Sequence, residues 1–419
     1  MRRHRARFLA LTAATAASAV TVAACGGTTG ITSTANDSGS TVTIGISEPL
    51  TGSFSADGQA STKGFRLWAS DVNASGGLLG HQVKLIILND NSLPNTTAKQ
   101  YSTLITQDKV SFVLGPFSSL LTRAAAVAVE PHGYSFVEGS GGAPTVFTLK
   151  DPDLFGVSAP VVDQMVPFAD WVASLPASER PKTAAYPMVS DPFADPPVQT
   201  AETILQNAGV RTVYTNTTDP ITATNLAPYA QKVAQDKPDA VVLGSVDVPT
   251  VDAFIKVFEA ANYTPKMFIA AAGPDQGLAF ENQVGPANAT GIMVPDGWYG
   301  GFADALSHVM VQDYIAKFGG TAADINADVA ESYSAGEVLA DAVGATNSLD
   351  NAKIIAYLHS GVTLQTVQGP AKFGSSGENT VATSFIFQWQ NGQFVQVLPT
   401  AATGSTAIDL TKQPWQLGG

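Results

Sequence analysis

The sequence predicts an α/β protein built as two doubly wound parallel-sheet lobes, and three observations carry that prediction. Beyond residue 40, short runs rich in Val, Ile, Leu and Thr alternate with amphipathic stretches, the pattern of βαβ units. The alternation comes in two successive blocks, the second opening near residue 183. Once the N-terminal segments are set aside, roughly 380 residues remain, more than a single hydrophobic core usually serves.

The elements follow in order. Val42, Ile44 and Ile46 mark a first strand, and the four-residue recurrence of Ala60, Gly64, Trp68 and Val72, with Phe65 beside them, predicts a helix over 57–74. Strands are expected at 83–88, 111–114 and 134–137, with helices at 95–107 and 119–129. The second block predicts strands at 183–189, 210–214, 240–243, 266–270 and 291–294, separated by helices at 197–207, 226–235 and 251–261. Three further helices, at 303–318, 328–345 and 351–359, are too much chain for a tail and are expected to return to the first lobe. The final strands, at 382–390 and 394–398, flank Asn391-Gly392, a hairpin-turn signal.

The N-terminus has a different character. Arg2, Arg3, Arg5 and Arg7 precede an uncharged Ala/Thr/Val-rich stretch over 8–24, the order of an export signal, and the stretch is too short and Thr-interrupted for a permanent span. Val22-Ala23-Ala24-Cys25-Gly26 resembles the lipobox of bacterial lipoproteins, in which the cysteine is acylated. Cys25 is the only cysteine in 419 residues, so it has no internal disulfide partner. Residues 26–40 are rich in Gly, Thr and Ser and read as a flexible tether. The expectation is an exported protein held at the outer face of the membrane by lipidated Cys25.

Charge and motifs exclude several function classes. The whole chain carries a formal charge of −13, and residues 1–24 contain four arginines and no acids, so removing them leaves −17. Such an acidic surface argues against nucleic acid as a partner. His81, His132, His308 and His359 show no metal-ligand spacing, and neither a phosphate-binding loop nor a nucleophile elbow occurs. Neither a cofactor, a metal nor an enzymatic activity is expected.

Ile44-Gly45-Ile46-Ser47-Glu48-Pro49-Leu50-Thr51-Gly52 and the run from Asp71 to Gly80, DVNASGGLLG, resemble the opening of the leucine/isoleucine/valine-binding protein family. The segments from Val113 to Ser119 and from Asp191 to Ala194 are also similar to recurring family segments. That family consists of type I periplasmic binding proteins that serve ABC importers. The resemblance implies two lobes joined by a hinge with three crossovers, closing on a small organic ligand for delivery to permease subunits. On that frame, 1–24 is signal peptide, 25–40 lipidated cysteine and tether, 41–160 with 296–362 the first lobe, and 161–295 with 363–419 the second.

The resemblance also implies a site. Phe117, Ser118 and Ser119 match a loop that holds the ligand carboxylate, at a strand-to-helix junction where hydroxyl and backbone N–H groups serve that role. Ser140, Gly141 and Gly142 match the second carboxylate loop, and Ser53 lies in a loop expected to form another wall. In the second lobe Phe193 matches an aromatic lying over the ligand. Ala272 stands where amino-acid binders place the acid that grips the ammonium, with Asp275 the next acid in the loop and Asp247 an alternative cation partner. A missing acid there favours a ligand without an α-amino group, such as an aromatic or short-chain carboxylate. Trp298 and Tyr299 are candidates for a cleft wall or hinge cover, Tyr333 for a ligand contact, and Glu331 reads as a solvated helical position. Two other roles stay open: a lipid-anchored sensor that signals without transport, and an enzyme on the same architecture.

Overall fold

The structure, a computed structural model, describes residues 41–218, 225–302, 304–402, 404–410 and 414–415. The signal, Cys25 and the tether lie outside the described residues. No helix among the described residues is long and apolar enough to cross a membrane.

Two sheets organise the chain. The first contains β1 (Thr41–Glu48), β2 (Gln82–Asn89), β3 (Phe112–Leu114), β4 (Phe136–Glu138) and β5 (Leu154–Gly156) in the order β2-β1-β3-β4-β5, with every pairing parallel. The second contains β6 (Thr183–Val189), β7 (Arg211–Thr218), β8 (Ala240–Leu243), β9 (Met267–Ala270) and β10 (Ile292–Asp296) as its parallel part. A two-stranded ribbon, β11 (Leu364–Thr366) and β12 (Gly369–Ala371), precedes the closing hairpin β13 (Phe385–Gln390) and β14 (Gln393–Leu398). That hairpin extends the second sheet antiparallel to β10. Asn391 and Gly392, at φ 50° and 75°, supply the two left-handed residues its turn requires.

Each sheet is buried on both faces, as parallel sheets must be. Val42, Ile44 and Ile46 of β1 pack on Phe65, Trp68, Val338 and Leu339, whereas Val113 and Phe136 face Tyr101, Leu104 and Val129 on the other side. Trp68 sits at the crossing of the helices Ser55–Ala74 and Ala327–Thr346. Glycines allow that crossing to be close: a Cβ at Gly336 would lie 2.3 Å from the Trp68 ring, and one at Gly64 would lie 2.2 Å from the Val329 carbonyl oxygen.

Met310, Ala330, Leu339 and Ile354 of the late helices pack into cores shared with the helix Ser55–Ala74, the last two also with β1. Leu364, Ala371 and Phe373 lie in the same core as β1, past the 362 expected to close the first lobe. Strands of three residues have no periodicity from which sequence could assign them to a lobe.

Candidate functional site

Ligands of open parallel sheets bind in the crevice outside the carboxyl ends of the strands. Here the loops following β3, β4, β5, β6, β8 and β9 and the end of β10 all line one cavity, partly open to solvent. The cavity lies between the lobes, and both lobes touch around it. Phe54 and Leu121 of the first pack with Val189, Ala194 and Val246 of the second, with Phe117 and Phe193 at the edge. The Phe54 and Phe117 rings meet edge to face, 5.8 Å apart. On the other side the Gln276 side-chain amide crosses the gap, donating to Asp57 Oδ1 at 2.6 Å and accepting from Asn326 Nδ2 at 2.9 Å.

Acids dominate the lining. Asp57, Asp191, Asp275, Asp296, Asp328 and Glu331 face the cavity, and no Lys, Arg or His does. Asp57 and Asp328 are 5% and 6% exposed. Each lies in the first turn of one of the two helices that cross at Trp68, where peptide dipoles favour a negative charge. Asp296 ends β10 and accepts from the Gly297 N–H at 2.6 Å, and Asp275 accepts from the Gly273 N–H at 2.6 Å. Asp191 accepts from the Phe193 N–H at 2.8 Å.

This concentration of carboxyl groups shifts their protonation. Burial, followed by repulsion from Asp275, holds Asp57 well above the usual carboxylate range. Burial likewise raises Asp328, aided by Asp57 and Glu331, and Asp296, aided by Asp275 and Glu331. Burial pushes Asp275 up to about 6. Glu331 reaches about 7 through burial, even though the Ser140 and Ser158 hydroxyls stabilise its charged form.

Of the residues the sequence singled out, Phe117, Ser118, Ser140, Gly142, Phe193, Ala272 and Asp275 line the cavity. The others are placed elsewhere. Ser53 is exposed on the surface. Ser119 is fully buried, and its Oγ accepts from the Ala143 N–H at 3.2 Å. The Gly141 N–H donates to the buried Glu138 carboxylate, which removes it from ligand duty. Trp298 is buried among Leu67, Met310 and Val329 and donates to Ser307 Oγ at 2.9 Å. Tyr299 packs on Phe302 and Phe387. Tyr333 donates to Asp71 Oδ2 at 3.0 Å on the far side of its helix.

Asp247 serves as a helix cap, accepting from the Thr250 N–H at 2.8 Å at the start of Val248–Ala260. Asp247→Ala is therefore expected to lower stability by about 1 kcal/mol while leaving ligand affinity unchanged. Thermal denaturation with and without bound solute checks both halves.

One expectation about charge is corrected. Glu331 is not a solvated position: it faces the cavity and accepts from Ser140 Oγ and from Ser158 Oγ at 3.3 Å. The Ser140 hydroxyl is thus already engaged with an acid. Ala272 lines the cavity together with Asp57, Asp296 and Asp328, which come from other elements. The sequence carried one usable signal for these residues. Each acid sits at a strand end or in the first turns of a helix, where a doubly wound lobe directs side chains toward the crevice.

Two doubly wound lobes meeting over a cavity at their strand ends define a type I periplasmic binding protein. The chain belongs to the periplasmic binding protein family, whose family model matches residues 41–393. An amino acid binding protein of Pseudomonas aeruginosa is 22% identical over 358 residues, covering 85% of this chain and 92% of that one. Among solved structures, the branched-chain amino acid transporter substrate-binding protein of Streptococcus pneumoniae in complex with isoleucine superposes with TM-score 0.73 at 20% identity. It covers 84% of this chain and 97% of its own. A solute-binding protein of an ABC transporter from R. palustris, in complex with benzoate, gives TM-score 0.73 at 18% identity, with 85% and 95% covered.

Proposed function

We propose that this chain is an exported, lipid-anchored solute-binding protein of an ABC importer, closing on one small organic solute and presenting it to permease subunits. The observation that carries this reading is the interlobe cavity, which is bordered by an apolar contact on one side and the Gln276 bridge on the other. The relatives named for amino acids and benzoate support a solute of that size class, and a ligand carboxylate would have Ser118 and Gly142 of the first lobe to meet. A solute held between lobes and never transformed makes the protein a receptor and not an enzyme.

Two measurements test the reading. Native mass spectrometry of the chain purified from its own host is expected to show one small molecule bound per protein, released unchanged on denaturation. A product differing from the captured molecule would instead indicate catalysis. For the anchor, Cys25→Ala is expected to abolish labelling by a radiolabelled fatty acid and to move the protein from the membrane fraction to the soluble fraction. Retained labelling would place the lipid elsewhere.

A further inference from the structure

The charge balance of the cavity says more about the solute than its size does. A cavity lined by six acids and no cationic side chain is a poor place for a net anion. A neutral zwitterion offers one positive centre against them. Asp57 and Asp328 are more than nine-tenths buried, face the cavity and form no ion pair. The three ion pairs among the described residues all lie elsewhere, in Lys232–Asp236, Lys256–Asp252 and Lys266–Asp239. A second observation points the same way: Gln164 lines the cavity with its Oε1 buried and without a donor. The neighbours that Asp57 and Asp328 do have are the neutral amides of Gln276 and Asn326, which leave their charge unbalanced.

The helix termini do not reverse this balance. The first turns of Ser55–Ala74 and Ala327–Thr346 would attract an anion, but Asp57 and Asp328 already occupy those turns. An inorganic cation is a weaker fit. No cluster of three or more His, Cys, Asp or Glu side chains suited to holding a metal occurs among the described residues. The lining also includes Phe54, Phe117 and Phe193, and aromatic faces favour organic ammonium and guanidinium groups with apolar stems.

We propose that the solute is a small organic cation of net positive charge, with an ammonium or guanidinium group among Asp57, Asp296 and Asp328 and its apolar part against Phe54, Phe117 and Phe193. Diamines and basic amino acids both have this chemistry. The inference rests on the solute-binding reading above and specifies the charge of what is bound. The raised protonation of Asp57, Asp275, Asp296, Asp328 and Glu331, caused first by burial, agrees with it: a positive solute stabilises the charged form that burial disfavours.

Calorimetric titration of the full chain in detergent, freed of endogenous solute, tests the proposal with putrescine, spermidine, lysine and arginine against leucine, benzoate and magnesium. At least one amine or guanidine is expected to bind more tightly than leucine or benzoate, and added salt should weaken it. Preference for putrescine or spermidine over lysine and arginine would identify a diamine site, and the reverse a basic amino-acid site. Asp57→Asn and Asp296→Asn are each expected to weaken that binding by about tenfold to a hundredfold, the scale of a hydrogen bond to a charged group, and to narrow the gap to leucine. Asp296 ends a strand and lies outside the helix crossing, so its variant separates lost recognition from lost folding. Tighter binding of leucine or benzoate than of every amine overturns the charge assignment but leaves the receptor reading intact. Magnesium displacing the amine, or unchanged affinity in both variants, also overturns it. Binding of none of these solutes, with none captured from the host, removes both readings.

Discussion

Trp68→Ala is expected to destabilise the first lobe by about 3–5 kcal/mol, the usual range for deleting a buried Trp or Phe side chain. Trp68 is 1% exposed and fills the crossing between Ser55–Ala74 and Ala327–Thr346, against the glycine at 336. The converse change, Gly336→Val, adds a branched side chain where a Cβ alone would stand 2.3 Å from the indole, and overpacking of this kind costs about 1–3 kcal/mol. Combining them should be less harmful than the sum, since the valine occupies space that the indole vacates. Denaturant unfolding of the two single variants and the double variant measures this. Strict additivity would show that the two positions do not share one packing space. The same helices carry Asp57, Asp328 and Glu331 into the cavity, so variants that fold should also bind solute less tightly.

Stability of the solute-free protein is expected to fall as pH rises from 5 to 8. The sign follows from linkage. A carboxyl group whose folded pKa lies above its unfolded value holds more protons in the folded state over that interval, so the slope of stability against pH is negative there. For Asp275 the window runs from near 4 to about 6, and for Glu331 from near 4.5 to about 7. A one-unit shift is worth about 1.4 kcal/mol. Because these groups share their protons, the pair contributes on the order of 3 kcal/mol rather than two independent amounts. Glu138, buried beneath the same loop and raised to about 8, adds to the slope without lining the cavity. Thermal melts across pH provide the measurement. Glu331→Gln should flatten the curve, and stability rising between pH 5 and 8 would contradict the assignment. A bound organic cation should give its largest stabilisation at the alkaline end, its affinity increasing by up to about tenfold per pH unit for each proton it displaces.

Much of the fold was legible because its elements are long or strongly patterned. The helix Ser119–Val129 and the strand Thr183–Val189 begin and end where periodicity and β-branched runs place them. The short ribbon of β11 and β12 and the helix Val166–Ser174 were not legible: the first lacks the length to show a period, and the second is apolar over most of its surface. The site was legible by loop rather than by residue. Matching of segments found Phe117, Ser118, Ser140, Gly142, Phe193 and Asp275, which lie in loops of recognisable register. It missed Asp57, Asp296 and Asp328 because three elements far apart in sequence bring them together, and a single acid at a strand or helix end has many structural uses. Position 272 drew attention to a missing acid in one loop, whereas the acids that line this cavity come from several elements.

The apolar contact between the lobes has one further consequence. Phe54, Leu121, Val189, Ala194 and Val246 gain the same burial whether the cavity holds solute or only water, so taken alone they would let an empty receptor shut as readily as a full one. On the proposed reading the carboxyl groups break that equivalence, since shutting around a cation favours their charged form, whereas shutting empty leaves them desolvated. The two features would then act as an interlock, the apolar contact supplying the force and the cargo releasing the safety. For the importer proposed above, the shut form would report occupancy.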